Sequence, residues 1–332
     1  MKPENSRFGR FAWLVLAWNI PVILWGALVR VTGSGAGCGN HWPDCNGTFT
    51  PSANLATLIE YTHRAMTGID SFLVVLLVVW AFRAYPRGHR VRLGATLSAT
   101  FLVTEALVGA ALVKFDLVAG NTSPARLYWQ SAHLINTLTL LAVLALTAWW
   151  GSGRPALGIG GRPGILAAIG LAITMLLGVS GAIAALGDTL YPSRSLAAGL
   201  AQDFSASANL FIRLRLWHPA IAIAAVAWLT FYAVSSARRR PELRRAGLIL
   251  IGLAGLQMAA GITNLLLLAP AWMQILHLFL ADLVWISLVI FSAETLSAPA
   301  VPRVPGAPVP GRTGGVSASL TQQNLRDVES RR

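Results

Sequence analysis

The sequence predicts an all-α integral membrane protein, with eight transmembrane helices arranged as two pseudo-symmetric four-helix bundles. Three observations predict it. Of the 332 residues, 55% are hydrophobic and only 12% charged, with mean hydropathy +0.60, whereas a soluble domain carries about 25% charged residues. The apolar residues collect in long runs, among them 71–82, 134–150 and 220–234. With their flanks these reach the roughly 20 residues that cross a bilayer. Landmarks of the first half return in the same order in the second, at a spacing of roughly 145–155 residues. Four spans per half preserve orientation, so the repeat is parallel.

In chain order the spans are expected at about 11–31, 62–82, 93–113, 128–150, 164–186, 216–236, 246–268 and 272–294. The first follows Lys2, Arg7 and Arg10 and lacks a small-residue cleavage site, so it is expected to stay as an anchor. The connections after the second, fourth and sixth spans hold the arginines of 83–92, Arg154 with Arg162, and those of 238–245. The alternate connections are poorer in arginine for their length. By the positive-inside rule both termini face the cytoplasm of a multi-pass protein in the cell (cytoplasmic) membrane. That rule also accounts for the net charge of +13 with no nucleic-acid partner. Domain boundaries follow the repeat, with residues 1–150 as the N-terminal bundle and 151–296 as the C-terminal bundle. Residues 297–332, rich in Pro, Gly and Ser from Pro299, read as a disordered cytoplasmic tail.

Two connections on the outer side are long. Residues 32–60 contain Gly33-Ser34-Gly35-Ala36-Gly37, Cys38, Trp42-Pro43 and Cys45; residues 187–215 contain Asp188, Pro192, Arg194, Asp203 and Arg213. Loops of this length are usually functional or disordered, and the aromatic and cysteine content of the first favours function. Its glycine run is no nucleotide loop, because neither Lys-Ser/Thr nor a Rossmann strand follows. Cys38 and Cys45 are the only cysteines and share one loop on the oxidising side, so a disulfide is expected.

Trp25-Gly26-Ala27-Leu28 corresponds to Ser180-Gly181-Ala182-Ile183, and Glu105 with Gly109 to Gln257 with Gly261. Gln130 and His133 correspond to Gln274 and His277, and His63 to His218. All four of these histidines lie a few residues inside the start of an even-numbered span, near one surface. An imidazole is costly in hydrocarbon without a partner. A lone one usually hydrogen-bonds a neighbouring helix, but four at matched depth in a repeated frame point to metal. Within each half the second and fourth helices lie diagonally or side by side, so their histidines can face one plane from opposite sides. Zinc normally takes four ligands, and neither half offers cysteine or a clear carboxylate set at that depth. Two facing imidazoles suit heme iron, and Gly109, Ala110, Ala260 and Gly261 leave room for a flat macrocycle. His41 reads as loop surface and His89 as a solvated side chain among cytoplasmic arginines.

The run Gly26-Ala27-Leu28-Val29-Arg30-Val31-Thr32-Gly33-Ser34-Gly35, the loop with Cys38, Trp42-Pro43 and Cys45, and Glu60-Tyr61-Thr62-His63-Arg64 resemble the heme A synthase family. So do the motifs from Gln130 to His133 and from Gln274 to His277. The resemblance covers the first span to the eighth, and the Glu-x-x-His-Arg motif joined to the cysteine loop is its specific part. It implies an oxidoreductase that oxidises the C8 methyl of heme O to a formyl group, making heme A for terminal oxidases, a step of cytochrome oxidase assembly. It also implies that His63 and His133 receive the substrate heme, that His218 and His277 hold a resident heme b, and that Glu60 is required. Heme O synthase and an electron donor are the expected partners, with homo-oligomerisation open.

Glu60 precedes His63 by three positions, so both project to one helical face. A carboxylate there can relay protons; pairing with Arg64 or Arg30 is its competing role. The expected chemistry is two successive hydroxylations of the methyl, the gem-diol then losing water to give the aldehyde. Arg30, Arg64 and Arg215 sit where heme propionates would emerge, for bidentate pairing, or where they would snorkel to headgroups. Asp70, seven residues after His63, is the best proton-path candidate, ahead of Glu105 and Asp282. For the cysteine pair, a loop staple and a thiol–disulfide relay both fit. The competing function is a di-heme b electron carrier of the quinol-linked cytochrome b kind. It explains four histidines and a repeat, but not Glu60 and Arg64 joined to the cysteine loop.

Overall fold

The computed structural model describes residues 3–297, so all but the first residue of the expected tail 297–332 lies outside the described residues. The helices are α1 (Pro3–Val31), α2 (Leu55–Ala84), α3 (Arg90–Lys114), α4 (Pro124–Gly151), α5 (Gly161–Leu190), α6 (Leu196–Asp203), α7 (Leu210–Arg215), α8 (Trp217–Arg239), α9 (Arg244–Leu266) and α10 (Ala271–Leu296). Among the described residues eight segments are long and apolar enough to cross a membrane, α7 and α8 together supplying the sixth, Leu210–Arg239. The chain is therefore an all-α, multi-pass membrane protein. Several helices outrun the expected spans because polar residues begin them outside the apolar run. The Asn54 side chain accepts the Ala56 amide at 2.9 Å and starts α2 at Leu55, not at 62. Pro124 takes the first position of α4, where its missing N–H has no helical partner to lose. His89 Nδ1 accepts the Val91 amide at 3.2 Å and caps α3, a role the sequence reading did not give it. The turns before α3 and after α4 pass through Gly88 and Gly153 at φ 78° and 76°, conformations that glycine adopts without steric cost.

Helix α1 packs on α2 and α4, and α3 packs on the same two, closing a four-helix ring; α5, α8, α9 and α10 close a second ring in the same order. The diagonal partners are thus α2 with α4 and α8 with α10. The rings meet along α1, α4, α5 and α10 and share one core that includes Leu141, Leu144, Trp285 and Leu288. Lipid tails are as apolar as leucine, so close packing and interhelical polar bonds, not apolar burial, hold such spans together. Gly9 of α1 and Gly151 of α4 illustrate the first: a Cβ at Gly9 would stand 3.0 Å from the Gly151 carbonyl. The indole N–H of Trp285 illustrates the second, donating to the Leu138 carbonyl at 2.7 Å across the seam. Around the outside Leu14, Phe72, Val103, Ile165, Ile223 and Leu256 stay exposed, an apolar belt for the hydrocarbon.

Candidate functional site

His63, His133, His218 and His277 fall within the first ten residues of the spans Leu55–Ala84, Pro124–Gly151, Leu210–Arg239 and Ala271–Leu296. At about 1.5 Å per residue they share one depth, near one end of the molecule. His218 and His277, on diagonal helices, face each other with ring centroids 6.5 Å apart and planes at 89°. A metal–imidazole bond is about 2 Å, and a ring nitrogen lies about 1 Å from its ring centre, so one iron between two imidazoles needs centroids about 6 Å apart. The pair fits. His218 Nδ1 lies 3.0 Å from Ser180 Oγ, which leaves Nε2 for a metal, the usual division for a ligating imidazole. The Gln257 amide donates to His277 Nε2 at 3.3 Å, and His277 Nδ1 is buried without a partner.

In the first ring Nδ1 of His63 and of His133 are likewise buried without a hydrogen bond, the latter 3.4 Å from Glu105 Oε1. Asn136 fixes that carboxylate at 2.6 Å from its other oxygen, and the Thr137 hydroxyl donates to Oε1. Glu105 and Gln257 hold equivalent places in the repeat, so the same position offers a carboxylate to His133 and an amide to His277. Among the described residues no group of three or more His, Cys, Asp or Glu gathers into a metal cage. A donor set of two imidazoles suits a porphyrin, which brings its own four nitrogens. Gly109 and Gly261 lie against the edges of His133 and His277.

Above His63 the first long loop is fastened onto α2. Cys38 and Cys45 form a disulfide. The Cys38 amide donates to Glu60 Oε2 at 2.9 Å, and Arg64 Nη2 donates to Glu60 Oε1 at 2.5 Å. Arg64 Nη1 also donates to the carbonyls of His41, at 2.8 Å, and Asp44, while the Thr57 hydroxyl donates to the Gly37 carbonyl at 2.7 Å. Glu60 is 3% exposed. Of its two expected roles, pairing with Arg64 is realised in the geometry, and both its oxygens are committed.

The remaining candidates are engaged as well. Arg30 reaches out of its own ring, donating to Ala185 O (2.8 Å) and Thr189 Oγ1 (3.0 Å) on α5 and to Gln274 Oε1 (3.0 Å) on α10. Arg215 binds Asp188 at 2.9 Å and Asp203 at 2.6 Å, tying the short helix α6 to the end of α5. Asp70 is buried and accepts from Asn19 Nδ2 at 2.9 Å. Asp282 is buried with Oδ2 unpartnered. The sequence reading missed Ser180 and Gln257 as partners of the histidines, although both stand inside the repeat matches that reveal the architecture. It also missed Arg126, buried with Nη1 on the carbonyls of Ala119 and Asn121. A lone arginine in a connection carries no signal of its own.

A Thermus thermophilus protein named protoheme IX farnesyltransferase is 47% identical over 299 residues, 89% of this chain and 49% of that protein. Proteins named heme A synthase match over shorter stretches. The Bacillus licheniformis one is 42% identical over 94 residues, 28% of this chain and 31% of its own. The Lysinibacillus sphaericus one is 44% identical over 114 residues, 33% and 36% respectively. The chain spans about half the length of the Thermus relative and about a third of each of the other two. The sequence model of one family matches residues 9–57 and 52–289, nearly all of the membrane-spanning part, and the chain belongs to that family, the cytochrome oxidase assembly proteins.

Proposed function

We propose that the protein is a heme A synthase, an oxidoreductase that converts the C8 methyl of heme O to a formyl group. The observation that carries this reading is a repeated pair of diagonal histidines of which only one pair has a carboxylate-anchored disulfide loop above it. The named heme A synthases among its relatives support it. Residues 1–150 form the substrate half, with His63 and His133 as ligands of heme O. Residues 151–296 form the half that holds heme b through His218 and His277. When bound, heme b supplies a one-electron relay. The loop end with the histidines faces outward from the cell membrane and both termini face the cytoplasm, in keeping with the arginines of 83–92 and 238–245.

The protein's own residues have three tasks in this reaction. The histidines hold the substrate at fixed depth. The docked loop covers the mouth of the first ring and limits water. Glu60, one turn from His63, keeps a carboxylate where protons leave as the methyl C–H bonds break. Each hydroxylation is a two-electron oxidation of the methyl carbon, so it takes an external oxidant and an oxygen atom from dioxygen or water, while loss of water from the gem-diol needs no redox partner. The name of the Thermus relative, protoheme IX farnesyltransferase, supports a partner of that chemistry, since farnesylation of protoheme makes the substrate required here. Co-expression with a heme O synthase, followed by chromatography and mass spectrometry of extracted hemes, tests the reading. Heme A beside heme b is expected; heme b alone, in the presence of heme O, overturns it and leaves a di-heme electron carrier.

A further inference from the structure

We propose that Gly26, Gly181 and Gly261 are positioning residues for His63, His218 and His277, each presenting bare helix backbone against which one imidazole is set, whereas Gly109 faces His133 at ordinary contact distance. The inference rests on the reading of those histidines as heme ligands. Each glycine lies on the helix that precedes its histidine's span: α1 for His63, α3 for His133, α5 for His218 and α9 for His277. A Cβ placed on Gly26, Gly181 or Gly261 would stand 3.0 Å from Cε1 of His63, His218 or His277 respectively. At these three positions the nearest atoms are all imidazole atoms, Cε1 first and the two nitrogens behind it. At Gly181, for instance, Nδ1 follows at 3.6 Å and Nε2 at 3.7 Å.

That order fixes how the ring stands. Cε1 lies between the two nitrogens, so a ring with Cε1 against the glycine sends one nitrogen to each side. In the second ring Nδ1 of His218 goes to Ser180 Oγ, and Nε2 of His277 goes to the Gln257 amide. A side chain on the glycine would turn the imidazole about its own bonds and move both nitrogens from their present places. Other glycines of the bundle do different things. Gly9 meets the Gly151 backbone, Gly170 meets Leu288, Trp228 and Tyr232 at 3.6–3.7 Å, and Gly252 and Gly255 meet nothing within 4 Å. Glycine weakens a helix interior relative to alanine, so its presence opposite all four histidines calls for a local cause. Contact distance sorts the four: Gly109 leaves 3.7 Å to His133 Cε1, an ordinary contact that a methyl group can make, whereas the other three leave 3.0 Å.

The test uses the full chain, purified in detergent with the heme it retains. Heme content, the lowest-field EPR g value of the low-spin ferric heme and its midpoint potential are compared among G181A, G261A, G109A and the control G170A. G181A and G261A are expected to shift the g value and potential, with heme affinity roughly tenfold or more weaker; G109A and G170A are expected to match the unmodified protein. Unchanged spectra in both G181A and G261A overturn the proposal, as does an equal change in G109A. To separate ring displacement from damaged packing, H277G and H277G/G261A are each given free imidazole. An untethered ligand can move away from the alanine, so both are expected to recover the same spectrum. Failure of the double variant alone assigns the alanine effect to helix packing and overturns the proposal. The underlying reading has its own outcome: H277G that keeps the two-imidazole signature without added imidazole overturns His277 as a ligand, whatever the glycine variants do.

Discussion

Glu60 carries two burdens that a substitution can separate. Its oxygens bind the Cys38 amide and Arg64, so it anchors the loop, and it stands one turn from His63, the placement on which the proposed proton role rests. Glu60→Gln keeps an acceptor for the Cys38 amide but no longer offers a charge. Glu60→Gln is expected to leave the loop docked, as read by limited proteolysis, while heme O or its hydroxymethyl form accumulates in extracted heme. Heme A at the normal rate in Glu60→Gln would remove the proton role. Glu60→Ala should also free the loop, since a hydrogen bond to a charged group contributes about 1.5–3 kcal/mol. Glu105 poses a comparable question in the first ring. Under the proposed ligation, a carboxylate near His133 Nδ1 would strengthen the imidazole as a ligand and stabilise oxidised iron, whereas the Gln257 amide meets the other nitrogen of His277, Nε2. Glu105→Gln makes the two halves alike at this position. It should raise the midpoint potential of heme bound in the first ring and slow heme A formation on the order of tenfold. An unchanged potential in that variant would assign Glu105 to packing with Asn136 and Thr137 only.

At the scale of elements, the loop on α2 is held by Glu60, Arg64 and Thr57 independently of its disulfide. Closing so short a loop contributes roughly 2–3 kcal/mol, and the side-chain anchors remain when it is opened. The double variant Cys38→Ser/Cys45→Ser is therefore expected to fold, to melt at a lower temperature, and to keep making heme A. Loss of heme A in a well-folded double variant would instead establish the cysteines as a relay. Helix α3 depends on a cap that responds to pH. Burial, aided by the charge of Arg90, lowers the pKa of His89 from its ordinary value. The unfolded chain then binds more protons than the folded one between the two pKa values. The stability from this group is complete above the ordinary histidine pKa and is lost as pH falls through the lowered one. His89→Asn, which can still accept the Val91 amide, should flatten the pH dependence of melting over that window, and His89→Ala should cost about 1 kcal/mol. The identity of α3 as a membrane span was legible from its run of apolar residues, but its cap was not. Histidine among arginines looks solvated until the turn through Gly88 brings Nδ1 onto the amide two residues on. Likewise the spacing of Glu60 and His63 placed them on one face, yet nothing in the sequence pairs Glu60 with the Cys38 amide, a contact made only when the loop folds back.

For the whole molecule, the fold makes the histidine-bearing helices diagonal, where the repeat pointed only to two four-helix bundles and left those helices diagonal or side by side. What the repeat could not give is the seam. Pseudo-symmetry describes each half alone, whereas the polar bonds of the seam are made by side chains whose repeat positions hold a different residue. Trp285 on the Leu138 carbonyl is one, and Arg30 is another. From the sequence Arg30 belongs to the first half, as a propionate anchor or a headgroup contact. In the fold its guanidinium spans the seam, joining the end of α5 to Gln274, one turn before His277. Interhelical hydrogen bonds in membranes average about 0.6 kcal/mol each, so the three together contribute about 2 kcal/mol. Arg30→Leu removes all three, and Arg30→Lys keeps the charge but cannot reach three acceptors spread over two helices. Both should lower the melting temperature, Leu more than Lys. Because Gln274 is released, the optical spectrum of heme held by His277 should change although the substitution lies in the other half. A propionate anchor confined to the first ring makes the opposite prediction, a change in heme O binding with the second heme untouched. Separate titration of the two hemes in Arg30→Leu decides between them, and an unaltered second heme would sink the role of Arg30 as the tie between the halves.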